Sequence, residues 1–304
     1  MPDPLVSVVV PTLNCASFLR ECLDSVMSQS FQDFEVVVID DESTDGTLDI
    51  LRSYGDRIRV FSRHRERRLP TPELARYEGV VESRGKYCAF IDADDVWCPG
   101  RLQKQVEILE RDHRYKLCHS YVRVIGEDGH PMHIRHEGLI PPSGSCARAL
   151  LDHCYISSSS VLVWREVWLE CFGVADFDSP LDEWHFYIEI ARRYPVFFIP
   201  EVLALYRWRM TSDSRSSWRR TPRNVVAMEW SYHRGLWRGV VDRGVMREIM
   251  ARGAVENCQY WRDRGYANRA LWFAVKALQN KPLRGDAWIA LAKSLGRMLV
   301  KRDA

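Results

Sequence analysis

The chain has 304 residues, of which 46% are hydrophobic and 28% are charged, and its formal net charge is +2. This composition is typical of a folded protein with one or two domains and argues against global disorder. The near-neutral charge gives no support for nucleic-acid binding, so we expect no nucleic-acid partner; local basic clusters, such as Arg57 to Arg68, are interpreted as solvated faces.

The nine cysteines include no CxxC pair, and their odd number favours neither a disulfide framework nor a zinc site. Cys15, Cys22 and Cys88 lie within apolar patterns, where a free cysteine behaves as a small hydrophobic residue. The N-terminus does not resemble a signal peptide, and no apolar run approaches the ~20 residues that span a bilayer. We therefore expect a cytoplasmic protein that is soluble or at most peripheral to the membrane.

Strands and helices alternate through the first part of the chain. Continuous apolar runs predict buried strands, and apolar residues spaced three and four apart predict amphipathic helices. The predicted strands are Val6 to Val10, Phe34 to Ile39, Ile58 to Phe61 and Tyr87 to Ile91, and the predicted helices contain Leu19 to Met27, Leu48 to Leu51 and Leu74 to Val81.

This alternation predicts a doubly wound α/β unit with right-handed crossovers, in which ligands bind beyond the carboxyl ends of the strands. Asp40 and Asp41 follow the second strand, and Asp92 and Asp94 follow the fourth. The acidic residues therefore lie where such a sheet binds its ligand.

The pattern changes after Leu117, where short strands and helices predict a mixed sheet with an antiparallel element. The strands are Leu117 to Val124, Val161 to Trp164 and Phe197 to Ile199, and the helices lie near Glu166 and from Glu183 to Arg193. Beyond about Trp218 the chain reads as helical, in segments from Val225, Val245, Tyr266 and Asp286 with breaks at Gly239, Gly265 and Pro282. We predict a first domain of residues 1–218 and a helical C-terminal region of residues 219–304.

Asp92-Ala93-Asp94-Asp95 is the strongest chemical signal in the sequence. Carboxylates are hard oxygen ligands suited to Mg²⁺ or Mn²⁺, which also bind substrate phosphates. An acidic turn or a helix N-cap would explain the same residues without a metal. Three crowded carboxylates with no neighbouring Lys or Arg in the sequence repel one another, which favours a cation held by Asp92 and Asp94.

Two other acidic pairs have both a structural and a functional interpretation. Asp40 and Asp41 could cap the following turn, or accept hydrogen bonds from a base N–H or a ribose hydroxyl. Asp182 and Glu183 open a predicted helix, where acidic residues are favoured by the helix dipole. Either of them could equally act as a general base toward an acceptor hydroxyl.

Three arginines are candidates for binding phosphate, because the planar guanidinium fork suits phosphate oxygens. Arg207 and Arg209 follow a strand-like segment from Leu203 to Tyr206, and Arg76 lies in a predicted helix. Surface arginines are common, so each of them alone is weak evidence.

Taken together and in order, these segments resemble family 2 glycosyltransferases, an inverting group with the GT-A fold. The resemblance lies in Val6-Ser7-Val8-Val9-Val10-Pro11-Thr12-Leu13-Asn14, Val38-Ile39-Asp40-Asp41-Glu42-Ser43-Thr44-Asp45-Gly46-Thr47, Gly85-Lys86-Tyr87-Cys88-Ala89-Phe90-Ile91-Asp92-Ala93-Asp94-Asp95 and Pro200-Glu201-Val202-Leu203-Ala204-Leu205-Tyr206-Arg207. It implies an α/β fold of the GT-A type, a doubly wound, mostly parallel mixed sheet flanked by helices, here with an α-helical C-terminal appendage.

The resemblance also implies roles for single residues. Thr12 and Asp41 would contact the nucleoside and Asp40 would support their turn, while Asp92 would help to hold the ribose or metal and Asp94 would bind the metal directly. The full set expected to bind the donor nucleotide is Pro11, Thr12, Asn14, Asp40, Asp41, Arg76, Asp92, Arg207 and Arg209.

The chain departs from the family pattern at three positions. Glu183 occupies the place of the catalytic base but follows Asp182, in the reverse of the usual order, so Asp182 is a rival for the role. Tyr77 stands where asparagine often follows arginine. Arg209 replaces a histidine that often contacts the diphosphate or metal, so we expect weaker metal dependence.

The implied reaction is a hexosyl or related transfer from a nucleoside-diphosphate sugar, foremost a UDP-sugar, by one in-line displacement with inversion. Mn²⁺ or Mg²⁺ is the implied cofactor, and a glycan, polysaccharide or lipid-linked hydroxyl is the implied acceptor. The alternatives are a non-catalytic nucleotide-sugar-binding scaffold and a nucleotidyltransferase. The second normally has a Gly-rich, Lys- or Arg-bearing loop after the first strand, which Pro11 to Cys15 is not.

The last predicted helix has an apolar stripe with basic residues beside it. The stripe comprises Trp288, Leu291, Leu295, Met298 and Leu299, and the basic residues are Lys293, Arg297, Lys301 and Arg302. Such a helix can lie on an anionic membrane, as a peripheral contact, or pack its apolar side into a protein core. The sequence leaves both interpretations open and does not reveal the oligomeric state.

Overall fold

The computed structural model describes residues 2–63, 72–172, 183–209, 241–263 and 266–300. Two compact units divide the chain, Met1–Asp176 with Phe186–Ser212, and Phe177–His185 with Asp213–Ala304. The predicted division into residues 1–218 and 219–304 stays a prediction. Three sequence-based predictions, the helical segment from Val225 and the breaks at Gly239 and Gly265, lie outside the described residues.

The described part of the first unit contributes nine strands to one mixed sheet. They are β1 (Val6–Thr12), β2 (Phe34–Asp40), β3 (Arg59–Ser62), β4 (Tyr87–Phe90), β5 (Val96–Trp97), β6 (Leu117–Ile125), β7 (Pro131–Ile134), β8 (Leu162–Trp164) and β9 (Val196–Arg207). Their order is β3-β2-β1-β4-β8-β6-β9-β5, with β7 paired to β6. The first four neighbours run parallel, β8 is antiparallel to β4 and β6, and β9 is parallel to β6.

Seven α-helices lie along the same stretch of the chain, although the first three residues of the last one belong to the second unit. They are α1 (Ala16–Met27), α2 (Thr47–Ser53), α3 (Pro72–Glu82), α4 (Arg101–Arg111), α5 (Ala147–Asp152), α6 (Arg165–Phe172) and α7 (Glu183–Arg193). The prediction of a mixed sheet flanked by helices is confirmed. Helix α4 went unpredicted, although its buried residues Leu102, Val106 and Leu109 recur at the spacing of an amphipathic helix.

Strand β1 is buried along its whole length, as the unbroken apolar run predicted. Helix α3 packs very close to it, because a Cβ added at Gly79 would lie only 2.3 Å from Cγ1 of Val9. Only glycine fits this contact without a shift of the helix or the strand. Arg76 lies one turn earlier on α3, so the close packing also fixes the position of that arginine.

Strand β9 corrects a sequence-based prediction, which placed a short strand at Phe197 to Ile199 and a separate strand-like segment at Leu203 to Tyr206. The structure joins both into one strand of 12 residues through Pro200. Proline has no N–H to donate, and the register against β6 shifts between Ser120 and Val122 at this point. The irregular pairing lets the strand continue past the proline.

In the second unit the described helices are α8 (Arg243–Asp263), α9 (Ala267–Asn280) and α10 (Gly285–Val300). Their starts agree with the segments predicted from Val245, Tyr266 and Asp286. Small residues dominate the core between them, with Trp261 and Phe273 as its large members. Within the described residues, no helix has both the length and the apolar character that crossing a membrane requires.

Helix α10 buries Ala287, Ala290 and Ser294, whereas Trp288 is 55% exposed and Leu295 is 44% exposed. The interpretation of the apolar stripe as core-facing is therefore wrong for these two residues, because Ala287, Ala290 and Ser294 form the packed face instead. The side chains of Met298 and Leu299 lie outside the described residues.

Candidate active site

The ends of three parallel strands bring the predicted donor-binding residues to one edge of the sheet. Strand β1 pairs with β2 on one side and β4 on the other, and Thr12 is directly opposite Asp40. The loops that begin at Leu13, Asp41 and Ile91 consequently start side by side. The sheet thus gathers residues that are up to 80 positions apart in the sequence, as the doubly wound pattern predicted.

Hydrogen bonds tie the loops after β1 and β2 together. The Asn14 N–H donates to the Ser43 hydroxyl at 2.9 Å, and the Asn14 side-chain oxygen accepts from the Thr44 N–H at 2.8 Å. The Cys15 N–H donates to the Thr47 hydroxyl at 3.0 Å. Asn14 has a φ of 50°, in the left-handed region that asparagine tolerates. Its side chain therefore shapes the loop pair that borders the predicted nucleoside site.

The two carboxylates after β2 are both buried but have different partners. Asp40 accepts a hydrogen bond from the Ser43 N–H at 3.2 Å, which is the turn-capping role predicted for it. The Asp41 N–H donates to the Thr12 carbonyl at 2.9 Å, and an Asp41 carboxylate oxygen lies 3.6 Å from the Arg63 guanidinium. The turn thus places Asp41 beside the end of β1.

Asp92 is paired with a buried arginine. Nη2 of Arg76 donates to Oδ1 of Asp92, and Arg76 is only 3% exposed. The same nitrogen lies 3.4 Å from the Ser158 hydroxyl, and the Asp92 N–H donates to the Ser159 hydroxyl at 3.1 Å. Asp92 is therefore held from its backbone and its side chain at once.

Asp94 is paired with Arg209, whose Nε and Nη2 both lie 2.7 Å from Oδ2 of the carboxylate. Burial raises the pKa of Asp94, and the negative charge of Asp92 raises it further, while Arg209 lowers it. The direction is upward, so the ionised Asp94 needs a neighbouring cation for its stability. In this structure Arg209 supplies it.

Asp95 is fully buried, unlike Asp92 and Asp94. It accepts hydrogen bonds from the Ser159 hydroxyl and, at 2.8 Å, from the Arg207 N–H. Burial raises its pKa well above the usual range, and the charges of Asp94 and Asp92 add to the effect. Asp95 thereby joins the end of β4 to β9 and to the turn that carries Ser159.

These contacts correct one premise of the sequence analysis. Three crowded carboxylates without a nearby arginine were expected to need a metal, but the fold brings Arg76 to Asp92 and Arg209 to Asp94. The arginines come from distant parts of the chain, so the local sequence could not reveal them.

Arg207 has a different environment from the one its predicted phosphate contact requires. Its side chain is 2% exposed, and its guanidinium donates to the Asp94 carbonyl at 2.9 Å, the Glu127 carbonyl at 3.1 Å and the Glu21 carboxylate at 2.6 Å. Each guanidinium nitrogen is therefore engaged by protein oxygens. This arrangement favours a role in positioning Asp94.

Asp92 and Asp94 suit a metal ion whose remaining ligands come from the substrate and from water. Among the residues that the structure describes, no group of three or more His, Cys, Asp or Glu side chains is arranged to hold a metal ion. Asp92 and Asp94 nevertheless offer hard oxygen atoms at the strand end, 29% and 14% exposed. Mg²⁺ and Mn²⁺ commonly take one or two carboxylates together with substrate phosphates and water, so the two residues fit.

Sequence reasoning missed several residues of the site. Ser158 and Ser159 lie in a 3₁₀ turn of residues Ser158–Ser160, and Phe18 lies about equally close to Arg207 and Arg209, at 5.1 Å and 5.0 Å. The run of four serines from Ser157 was a visible polar signal in the sequence. Nothing local, however, linked it to residues more than 60 positions earlier.

The predicted general base is only partly described. Glu183 is the first residue of α7 and is half-buried, and it belongs to the second compact unit with Trp184 and His185. Asp182, its rival, lies outside the described residues. The assignment of either residue as the base stays a prediction.

Comparison with known proteins decides the family. The description "Glycosyl transferase family 2" matches residues 7–172, more than half of the chain. The chain belongs to this family. It is a glycosyltransferase, and the alternative of a nucleotidyltransferase is thereby wrong.

Relatives of this glycosyltransferase include bacterial proteins with the same enzymatic description. An uncharacterized glycosyltransferase of Rickettsia typhi is 25% identical over 83% of this chain and 76% of its own length. The putative teichuronic acid biosynthesis glycosyltransferase TuaG of Bacillus subtilis is 34% identical over 42% of this chain. The match spans about half of TuaG, 51% of its length.

Solved structures share the fold at low sequence identity. S. aureus TarS 1-349 in complex with UDP-GlcNAc has a TM-score of 0.64 and 16% identity, covering 96% of this chain and 88% of TarS 1-349. The mannosyltransferase PcManGT from Pyrobaculum calidifontis, in complex with GDP-Man and Mn²⁺, has a TM-score of 0.57 and 18% identity, covering 98% of this chain and 86% of its own. The GT-A fold expected from the sequence is confirmed.

Replacement of Ser159 by alanine tests how far the Ser159 hydroxyl stabilises the segment after β4 through its hydrogen bonds to Asp92 and Asp95. The Ser159 hydroxyl accepts from the Asp92 N–H and donates to buried Asp95, so Ser159→Ala leaves the Asp92 N–H and the buried Asp95 carboxylate with fewer partners. We expect the free energy of unfolding in urea to fall by about 1–3 kcal/mol. Ser158→Ala is the matched control, because its hydroxyl has only the 3.4 Å contact to Arg76, and an equal loss in both variants would contradict this role of Ser159.

Proposed function

We propose that this glycosyltransferase takes a sugar from a nucleoside-diphosphate sugar and transfers it to an acceptor hydroxyl with inversion and with the help of a divalent metal. The observation that carries the proposal is the charge pattern at the end of β4. Asp92 and Asp94 lie side by side, and the cationic groups of Arg76 and Arg209 lie against them. Carboxylates suit a divalent metal, and arginines beside them suit a diphosphate.

The diphosphate end of the donor has suitable partners in this pattern. Asp92 and Asp94 would hold Mn²⁺ or Mg²⁺, which when bound would neutralise the charge that develops on the departing diphosphate. Arg209, which is 16% exposed, is better placed to donate to phosphate oxygens than Arg207, which is 2% exposed. Arg76 would hold the Asp92 carboxylate in its orientation through their hydrogen bond.

The nucleoside end would lie against the loops after β1 and β2. Thr12 and Asp41 border this region, and Asn14 and Asp40 hold its two turns in place through their hydrogen bonds. A buried carboxylate such as Asp41 can accept from a base N–H or a ribose hydroxyl. Since TarS is described with UDP-GlcNAc and with UDP, a UDP-sugar is the first donor to test.

The proposed chemistry is one in-line displacement at the anomeric carbon. The acceptor oxygen forms the new bond while the bond to the diphosphate breaks, and Glu183 takes the acceptor proton. Inversion follows, because attack and departure occur on opposite faces of the sugar. Asp182 is the alternative base, and the two residues are distinguished by substitution.

The proposed acceptor is a hydroxyl group of a polysaccharide or of a lipid-linked glycan. TuaG is described as acting in teichuronic acid biosynthesis, which supports a polysaccharide or a lipid-linked glycan as the acceptor here. Such acceptors offer hydroxyl groups, which is the chemistry that a general base at Glu183 would serve.

Release of nucleoside diphosphate from a panel of nucleotide sugars tests the proposed function. We expect wild type with Mn²⁺ to hydrolyse one donor slowly. Asp94→Ala should lower that rate about 10²-fold or more, because the metal that would neutralise the departing diphosphate loses a ligand. With an acceptor present, Glu183→Gln should lower transfer by about 10² to 10⁴. Asp182→Asn should leave transfer largely unchanged.

Asp49→Asn is the control, because Asp49 is an exposed carboxylate in an ordinary surface ion pair with Arg52. Its rate should match wild type. Tight binding of a nucleotide sugar without hydrolysis or transfer to any acceptor would favour the non-catalytic scaffold. Loss of transfer in Asp182→Asn but not in Glu183→Gln would reverse the assignment of the base.

We also propose that helix α10 contacts an anionic membrane surface. Its solvent face carries Trp288, Ile289 and Leu295, which are 55%, 57% and 44% exposed. The second unit, residues 177–185 and 213–304, contains 19 Lys and Arg but 11 Asp and Glu, a formal charge of +8, although the whole chain has +2. Exposed aromatic and aliphatic side chains on a basic unit suit the interface of an anionic bilayer.

Sedimentation with lipid vesicles tests this contact. We expect wild type to bind vesicles that contain phosphatidylglycerol and not vesicles of phosphatidylcholine alone, with binding reduced at least tenfold when Trp288, Ile289 and Leu295 are all replaced by serine. The control replaces Met132 and Ile140, exposed apolar residues of the first unit, by serine. Equal binding by both variants, or no binding by wild type, would contradict the proposal.

A further inference from the structure

The ion pair between Arg209 and Asp94 occupies one of the two oxygens that Asp94 could offer to a metal. Both Nε and Nη2 of Arg209 lie 2.7 Å from the same carboxylate oxygen, Oδ2 of Asp94. The two side chains are 16% and 14% exposed, so water screens their attraction only weakly. Asp94 is thus already neutralised by a group of the protein itself.

The other two arginines near these carboxylates are anchored in ways that Arg209 is not. Arg76 is 3% exposed on α3, next to the close packing of Gly79 against β1. The Arg207 guanidinium is bonded to two backbone carbonyls besides Asp94 and to the Glu21 carboxylate. By comparison Arg209 follows the end of β9, and its contacts are with Asp94, the Phe18 ring and Cys15.

A divalent cation and the Arg209 guanidinium cannot both stay against this oxygen at low cost. The two positive charges would lie within a few ångströms of each other in a partly buried site, where repulsion is strong. Arg209 is also the most exposed of the three arginines, at 16% against 3% for Arg76 and 2% for Arg207. Metal binding at this oxygen of Asp94 therefore requires Arg209 to move, and a diphosphate is the anion that could receive it.

We propose that Arg209 is a resident counter-ion of Asp94 that competes with the divalent metal and moves to the diphosphate when the donor binds. This proposal rests on the proposed function, because it needs a metal at Asp94 and a diphosphate beside it. It gives Arg209 a regulatory role: the enzyme without donor binds metal weakly, and donor and metal strengthen each other's binding. By linkage, the two effects are equal in size.

Binding of Mn²⁺, measured by electron paramagnetic resonance, tests the competition without any turnover. We expect Arg209→Gln to bind Mn²⁺ at least tenfold more tightly than wild type in the absence of nucleotide, because the resident charge is gone. Saturating uridine diphosphate should tighten Mn²⁺ binding at least tenfold in wild type and much less in Arg209→Gln. The double variant Asp94→Asn/Arg209→Gln should lose the tighter binding.

Arg148→Gln is the matched control, because Arg148 forms an ion pair with Asp152 within helix α5, and the Mn²⁺ affinity of this variant should equal that of wild type. Thermal unfolding gives a second measure if Arg209→Gln is less stable. In that case Mn²⁺ alone should raise the Tm of Arg209→Gln more than that of wild type, because a ligand stabilises the folded state that binds it better.

Unchanged or weaker Mn²⁺ binding by Arg209→Gln would overturn the proposal, since Arg209 would then support the metal rather than compete with it. The absence of Mn²⁺ binding in every variant, with or without uridine diphosphate, would overturn it as well. Release of uridine diphosphate from a nucleotide sugar by wild type in excess chelator distinguishes a failure of the proposed competition from a failure of the proposed glycosyl transfer. Turnover under that condition would leave glycosyl transfer standing while the competition with metal fails.

Discussion

The structure of the site depends on the cost of placing three carboxylates in a row at the end of a buried strand. Asp92, Asp94 and Asp95 follow β4, and each needs a partner that the neighbouring sequence does not provide. Arg76 comes from α3, Arg209 from beyond β9, and the Ser159 hydroxyl from a turn before β8. Because these partners come from separate elements, satisfying the carboxylates also fixes how those elements meet.

Much of the fold was predictable from local patterns. The unbroken apolar runs of β1, β2 and β4 reflect burial on both faces, and the acidic residues after β2 and β4 had to emerge at the same edge of a parallel sheet. The predicted roles of Asp40 in its turn and of the cysteines in the core follow from the same logic, and Cys15, Cys22 and Cys88 are indeed buried.

The rest could not be predicted, because it depends on pairing between distant residues. No local signal in the sequence links Arg76 to Asp92 or Ser159 to Asp95. The sequence predicted that Arg207 binds phosphate, but in the structure its guanidinium donates to oxygens of the protein. Pro200 appeared to end a strand that in fact continues through a register shift. On α10, small buried residues leave Trp288 and Leu295 exposed, although periodicity alone allowed the opposite orientation.

In the proposed mechanism, the metal and the donor diphosphate meet at the carboxylates after β4. Anomalous X-ray diffraction from crystals grown with Mn²⁺ and uridine diphosphate tests this most directly, because it locates the metal independently of the protein atoms. We predict a manganese peak against Asp94, shared with the diphosphate, and an Arg209 side chain that has left Asp94. Uridine diphosphate bound away from Asp92 and Asp94, or bound there with Arg209 still paired to Asp94 and no manganese peak, would contradict the account.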